Sequence, residues 1–248
     1  MKSQFSILCL LVNILLISCE QAPQYYEVSG RLHTPYHIKF EHTKPLDKEI
    51  DEQLKYFYHL FNAFDSTSVI SQVNQNRDIR VDTLFQKVFK KALEVSTETN
   101  GAYDVTCAPL INLWGFGFSR KDSVTPAHID SVRQFIGFQK VRLEGDRIVK
   151  DDPRLMMNFS SLADGTVCDM IAQMLEKKGV RNYLVEFGGE MRVKGVNPMG
   201  VDWRLGIAKP IDDADGMNQE WEQVVSFPRP LGMATSGNYR NFYIKDGR

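Results

Sequence analysis

The stretch TNGAYDVTCAPLINLWGFG, residues 99–117, governs how the rest of the chain is read. Asn100-Gly101 predicts a helix stop, because both residue types tolerate the left-handed backbone that closes a helix. Asp104 then follows the aromatic Tyr103 and precedes Val105-Thr106. Pro109 introduces an apolar run of Leu110, Ile111, Leu113, Trp114 and Phe116, broken by Gly115 and Gly117. A carboxylate and two glycines among so many large side chains are unusual for an ordinary core, and they raise the question of a ligand.

Working outward, the pattern alternates between strands and amphipathic helices. Upstream, YYEVSGRLHTPYHIKFEH predicts one or two strands around Gly30. After Pro45, Ile50, Leu54, Phe57, Leu60, Phe61 and Phe64 recur at helical spacing. Residues 65–76 read as a short helix capped by Ser66 or Ser68. A further helix starts at Asp82 and turns Phe85, Val88, Phe89, Ala92 and Leu93 inward. Downstream, TPAHIDSVRQFIG predicts a short helix with Pro126 near its start and Gly137 at its end. KVRLEGDRIVKDD is a hairpin turning at Gly145-Asp146. DGTVCDMIAQMLEKKGV is a helix ended by Gly179, with Val167, Ile171, Met174 and Leu175 inward. RNYLVEFGGEMRVKGV, DWRLGIAKP, EQVVSFP and GMATSGNYRNFYIKDG supply further strands. The expected class is α+β, a largely antiparallel sheet or sheets flanked by helices.

The bulk properties narrow the partners. The chain has 248 residues, 43% hydrophobic and 25% charged, with a formal net charge of −1. That composition is globular, and its neutrality gives no electrostatic basis for nucleic-acid binding. Residues 1–18 have the layout of a secretory signal, with Lys2 followed by an apolar stretch from Phe5 to Ile17. Leu16-Ile17-Ser18-Cys19 resembles the lipobox of bacterial lipoproteins, which implies lipidation of Cys19 and a mature chain over 19–248. A plain signal or an uncleaved anchor is the alternative. The implied location is the bacterial cell envelope, lipid-anchored to the membrane and periplasm-facing. Cys107 and Cys168 remain, and they read as free buried thiols rather than a disulfide framework.

No GxSxG elbow, Walker loop or GxGxxG is present, and the five histidines form no zinc spacing. His33 and His37 read as neighbours on one strand face, and Gly188-Gly189 as a tight turn. Three polar motifs stand out: GAYDVT with Asp104 and Thr106, FSSLADGTVCD with Ser160, Ser161, Asp164 and Gly165 at a helix start, and ATSGNYR near the end. A helix start offers free backbone N–H groups to phosphate, and hydroxyls with an arginine suit phosphate or ribose. Taken singly, capping and turn chemistry explains each motif.

In order along the chain, NAFDSTSVISQVN, TNGAYDVTCAPLINLWGFG, NFSSLADGTVCDMIAQMLEKKGVRNYLVEFGGEMRVKG, WRLGIAKP and LGMATSGNYRNFY resemble the ApbE family of flavin transferases. The resemblance runs from about Gly30 to the last residue. It implies an ApbE-like fold and transfer of FMN from FAD to a threonine of a flavoprotein subunit in a membrane redox complex, Mg2+-dependent, with release of AMP. It also implies that Phe64 lies against the flavin, that Ala102, Tyr103 and Asp104 touch FAD, and that Asn158 and Asp164 occupy two further FAD positions. Thr235 and Ser236 would line the nucleotide pocket, and Ser161 would offer a backbone carbonyl to magnesium.

The chain departs from the family pattern at three places. Leu32-His33-Thr34 stands where the family has Met-Gly-Thr, Asn158 where it has aspartate, and Asp164 where it has lysine or glutamate. The family also continues past NYRNFYIKDGR into a His-x-x-Asp-Pro-x-Thr-Gly segment, with later metal-binding aspartate and threonine residues. The expectation is therefore a fragment of a longer transferase. The alternatives are a non-catalytic, truncated flavin-binding lipoprotein, a relative that hydrolyses FAD to FMN and AMP, and a likeness of fold alone. All the flavin readings require the loops around Tyr103, Ser161 and Ser236 to meet in one pocket.

Overall fold

The computed structural model describes residues 22–117, 124–210 and 220–237. The signal segment, Cys19 and the part of the strand stretch expected over residues 232–247 that follows Gly237 lie outside that set. In order, the described elements are β1 (Gln24–Arg31), β2 (Pro35–His42), α1 (Asp47–Phe61), α2 (Val69–Asn74), α3 (Thr83–Glu98), α4 (Ala108–Leu113) and α5 (Pro126–Arg133). A 3-10 turn (Phe138–Lys140) leads to β3 (Val141–Glu144), β4 (Arg147–Lys150), α6 (Ser160–Lys177), β5 (Tyr183–Phe187), β6 (Glu190–Lys194), β7 (Trp203–Ala208), β8 (Trp221–Phe227) and β9 (Leu231–Met233).

The principal sheet runs β1-β2-β5-β6-β9, and β3-β4 and β7-β8 are separate two-stranded ribbons. Every paired strand is antiparallel, as the α+β expectation requires. Side chains alternate across a strand, so β5 serves two cores at once. Tyr183, Val185 and Phe187 face the helices, whereas Leu184 joins Val193, Trp203, Leu205 and Phe227 beneath the β7-β8 ribbon. The helix α6 lies on β5 and β6, with α1 and α3 packed against it.

The helix boundaries follow the sequence signals. Ser68 caps α2, its hydroxyl accepting from the Ser71 N–H, and Asp82 caps α3 by accepting from the Phe85 N–H. At the end of α3, the Gly101 N–H donates to the Ser96 carbonyl and the Asn100 N–H to the Thr97 carbonyl. Asn100 has φ +50°, which makes this a Schellman closure. Three readings change. Phe64, whose spacing puts it on the apolar face of α1, lies beyond the end of that helix at Phe61. His33 lies in the turn between β1 and β2 rather than on a strand face with His37, because Leu32-His33-Thr34 form the reversal. The apolar run after Cys107 contains a short helix, α4, begun by Pro109 in its first turn, and the interrupting glycines concealed its period.

An aromatic cluster fixes the start of α6. Phe61 stacks on Phe85 at 5.4 Å, and Phe159 meets both edge-on at 5.8 and 5.5 Å. Burying one such ring contributes about 2–3 kcal/mol. Phe159 is therefore a firm anchor for Ser160 and Ser161, which follow it directly.

Candidate functional site

The 101–107 loop is held by a small set of hydrogen bonds. Asp104 Oδ1 accepts from the Thr106 N–H at 2.8 Å and from the Thr106 hydroxyl at 2.6 Å. Asp104 Oδ2 accepts from the Phe138 N–H at 3.0 Å, and the Gly137 N–H donates to Thr106 Oγ1 at 2.8 Å. The carboxylate thus ties its own loop to the segment that follows α5. On the other side, the Asn158 N–H donates to the Val105 carbonyl at 2.8 Å, and Cys107 bridges Met156. Asn158 Oδ1 accepts from the Ser160 N–H at 2.8 Å, satisfying one of the free donors at the start of α6.

These ties enclose a cavity of about 680 Å³, within the range of small-molecule sites. Of the residues expected at a flavin site, Ala102, Tyr103, Asp104, Asn158 and Ser161 line it. Leu110, Ile111 and Ile136 supply an apolar side, and Arg133 and Cys107 are also exposed to the cavity. The Tyr103 hydroxyl is buried and makes no hydrogen bond of sound geometry. Burial raises the Tyr103 pKa, and the nearby Ser161 hydroxyl opposes that shift. A buried, unpaired donor is costly, so this hydroxyl is suited to a partner supplied by a ligand. Burial, with the Asp104 charge second, also raises the Cys107 pKa, which keeps the thiol protonated and weakly nucleophilic.

Asp164 and Thr235 stand elsewhere, at the β5-β6 turn. Gly188 and Gly189 have φ of +64° and +102°, and a methyl group at Gly188 would sit 2.7 Å from Asp164 Oδ2. The Thr235 hydroxyl donates to the Gly189 carbonyl at 3.1 Å. The Gly189 N–H donates to Glu186 Oε1 at 3.1 Å. Burial raises the Asp164 pKa, and His33 opposes it with Nε2 3.9 Å from Oδ1. His33 Nδ1 in turn meets the Tyr58 hydroxyl, whose pKa burial pushes up to about 12. Glu186 is raised by burial, and Glu190 reaches about 7 through burial, then the Asp164 charge, with Glu186 adding to it.

Ser161 and Asp164 are three residues apart on α6, so one helix face joins the cavity to this turn. Phe64 is 71% exposed, on the loop after α1, with its N–H donating to Asn62 Oδ1. Ser236 is exposed, and neither residue lines the cavity. Tyr103 and Ser161 therefore meet as expected, whereas the 235–236 loop reaches the neighbouring turn. Sequence reasoning missed Arg133 and Ile136. Their helix was legible, but nothing in its pattern shows that its end meets a loop some 30 residues upstream.

Among the described residues, no three histidine, cysteine or acidic side chains are grouped so as to hold a metal ion. The Ser161 carbonyl is a single hard oxygen, well short of the near-octahedral set that magnesium demands. Likewise among the described residues, no helix is long and apolar enough to cross a membrane.

Comparison with known proteins gives a consistent result. The model of the ApbE family matches residues 32–248. FAD:protein FMN transferase of Vibrio cholerae serotype O1 is 35% identical over 246 residues, covering 94% of this chain and 72% of that protein. FAD:protein FMN transferase of Haemophilus influenzae is 30% identical over 260 residues, covering 98% of this chain and 74% of that protein. The solved structure of Flavin Transferase ApbE from Vibrio cholerae superposes with a TM-score of 0.76 at 33% identity, over 90% of this chain and 74% of that one.

Proposed function

The chain belongs to the ApbE family, and from that premise we propose that it is a flavin transferase that takes FMN from FAD and attaches it to a threonine of a flavoprotein subunit. The observation that supports this reading is the single cavity shared by Ala102, Tyr103 and Asp104 on one side and Asn158 and Ser161 on the other. FAD enters as substrate. The apolar residues Leu110, Ile111 and Ile136 suit a ring system, and the Tyr103 hydroxyl offers it a hydrogen bond. The first turn of α6 directs backbone N–H groups and the positive end of the helix dipole toward phosphate.

In the proposed reaction, the acceptor threonine oxygen attacks the FMN-side phosphorus. The bond from that phosphorus to the bridging oxygen breaks, and its electron pair leaves with AMP. The threonine proton passes to solvent or to a base outside the described residues. The chain's own residues bind and orient: Asp104 and Thr106 hold the walls together, and Phe159 fixes α6. Magnesium belongs to the proposal, and its ligand set would need groups beyond the described residues. The proposal also anchors the enzyme in the cell envelope through lipid on Cys19, facing a membrane redox complex. Metabolic labelling with a lipid analogue, lost in Cys19→Ala, checks the anchor.

The test is incubation with FAD, with and without magnesium and a threonine-bearing flavoprotein subunit. Covalent flavin fluorescence on the subunit, with AMP in equal amount, is the expected result. FMN and AMP without labelled subunit would select hydrolysis instead. Bound FAD that stays intact would select the non-catalytic reading, and absence of FAD binding would remove the flavin reading altogether.

A further inference from the structure

We propose that Arg133 recognises the phosphate groups of the dinucleotide, an inference that rests on the cavity being the flavin site. Arg133 closes α5 and is the one cation among the described residues that line the cavity. The one carboxylate there is Asp104, and both of its oxygens already accept hydrogen bonds from the protein. Arg133 itself makes no ion pair or hydrogen bond among the described residues. Its charge is thus left for something that enters the cavity.

The placement is fixed rather than incidental. Four and five residues after Arg133, the Gly137 and Phe138 N–H groups are held by Thr106 and Asp104. Gly137 makes the reversal with φ +141°, a conformation that side chains resist. The end of α5 is therefore locked to the loop that carries Tyr103. The same cavity receives Ser160 and Ser161 from the first turn of α6, an 18-residue helix whose dipole favours anions. A guanidinium presents a planar fork that matches phosphate oxygens two at a time. Arg133 is exposed, so it meets a ligand at the rim of the cavity, while Leu110, Ile111 and Ile136 supply the apolar side. The whole chain carries a net charge of −1, so attraction for an anionic ligand has to be local, and Arg133 supplies it.

The experiment compares wild type, Arg133→Gln and Arg133→Lys for binding of FAD and of riboflavin, which lacks phosphate, by flavin fluorescence. Arg133→Gln should weaken FAD binding by about 3- to 10-fold, the size of a solvent-screened charged contact, and leave riboflavin binding unchanged. Arg133→Lys should recover part of the loss. Inorganic pyrophosphate should displace FAD from wild type and lose that ability against Arg133→Gln. Equal FAD affinity in wild type and Arg133→Gln overturns the proposal. So does a parallel loss of riboflavin binding, which would mark Arg133 as a structural support. If wild type bound riboflavin and FAD alike, the flavin reading would stand and the phosphate role would fall. If it bound neither, both would fall.

Discussion

The two polar clusters that meet on α6 are built in opposite ways. At the cavity, the charged group Asp104 is consumed by the frame, and the Tyr103 hydroxyl and Arg133 are left unpartnered. At the β5-β6 turn, three carboxylates crowd together, and burial raises the pKa of Asp164, Glu186 and Glu190 alike. The first arrangement keeps its unsatisfied groups for a ligand. The second is closed by its own backbone, with Thr235 and Glu186 bonded to Gly189. A cluster of acids at a tight turn is thus a poorer guide to the binding site than an aromatic hydroxyl without a partner.

Three substitutions sharpen this contrast, from the largest effect to the smallest. Asp104→Ala removes three hydrogen bonds to a carboxylate and unfastens the Phe138 segment, so stability to urea should fall by about 2–4 kcal/mol. Flavin binding should fall with it. Full wild-type stability with binding alone lost would return Asp104 to a purely ligand-contacting role.

Glu190→Gln probes the other cluster through pH. The Glu190 pKa is raised from 4.5 to about 7 in the fold, so its contribution is fully present below pH 4.5 and is lost as pH rises through 7. At pH 8 the variant should therefore be the more stable protein. Because Glu190 is only half-buried, solvent screening limits the gain to about 1 kcal/mol, or a melting temperature higher by about 2–4 °C. The difference should close as pH falls to 4.5. A variant that melts with wild type at pH 8 would show that the carboxylates do not burden one another.

Tyr103→Phe should do least to the fold, since its hydroxyl has no partner to lose, and stability should stay within about 0.5 kcal/mol of wild type. FAD affinity should fall about 3- to 10-fold, the worth of one neutral hydrogen bond. Unchanged affinity would place the ligand away from the Tyr103 hydroxyl.

Much of the frame was legible because its signals are local. Asn100-Gly101 closes α3, Gly179 with φ +87° closes α6, and Ser68 and Asp82 cap their helices, each through bonds spanning a few residues. The alternation of Tyr183, Val185 and Phe187 marked a strand with a buried face. Helix α4 escaped because six residues opened by proline and followed by glycines show too little period. His33 escaped because strand-like residues flank a reversal on both sides.

The sequence by itself determined the α+β class, the helix limits and the identity of the loops bearing Tyr103, Asn158 and Ser161, since caps, turns and periodicity act between near neighbours. Only the tertiary structure decided what those residues do. The N–H that occupies Asp104 Oδ2 belongs to Phe138, 34 residues away, and the cation that shares the cavity with Tyr103 arrives from the end of α5. Which lone pairs are filled and which charges are left open depends on partners distant in the chain, and packing alone brings them together.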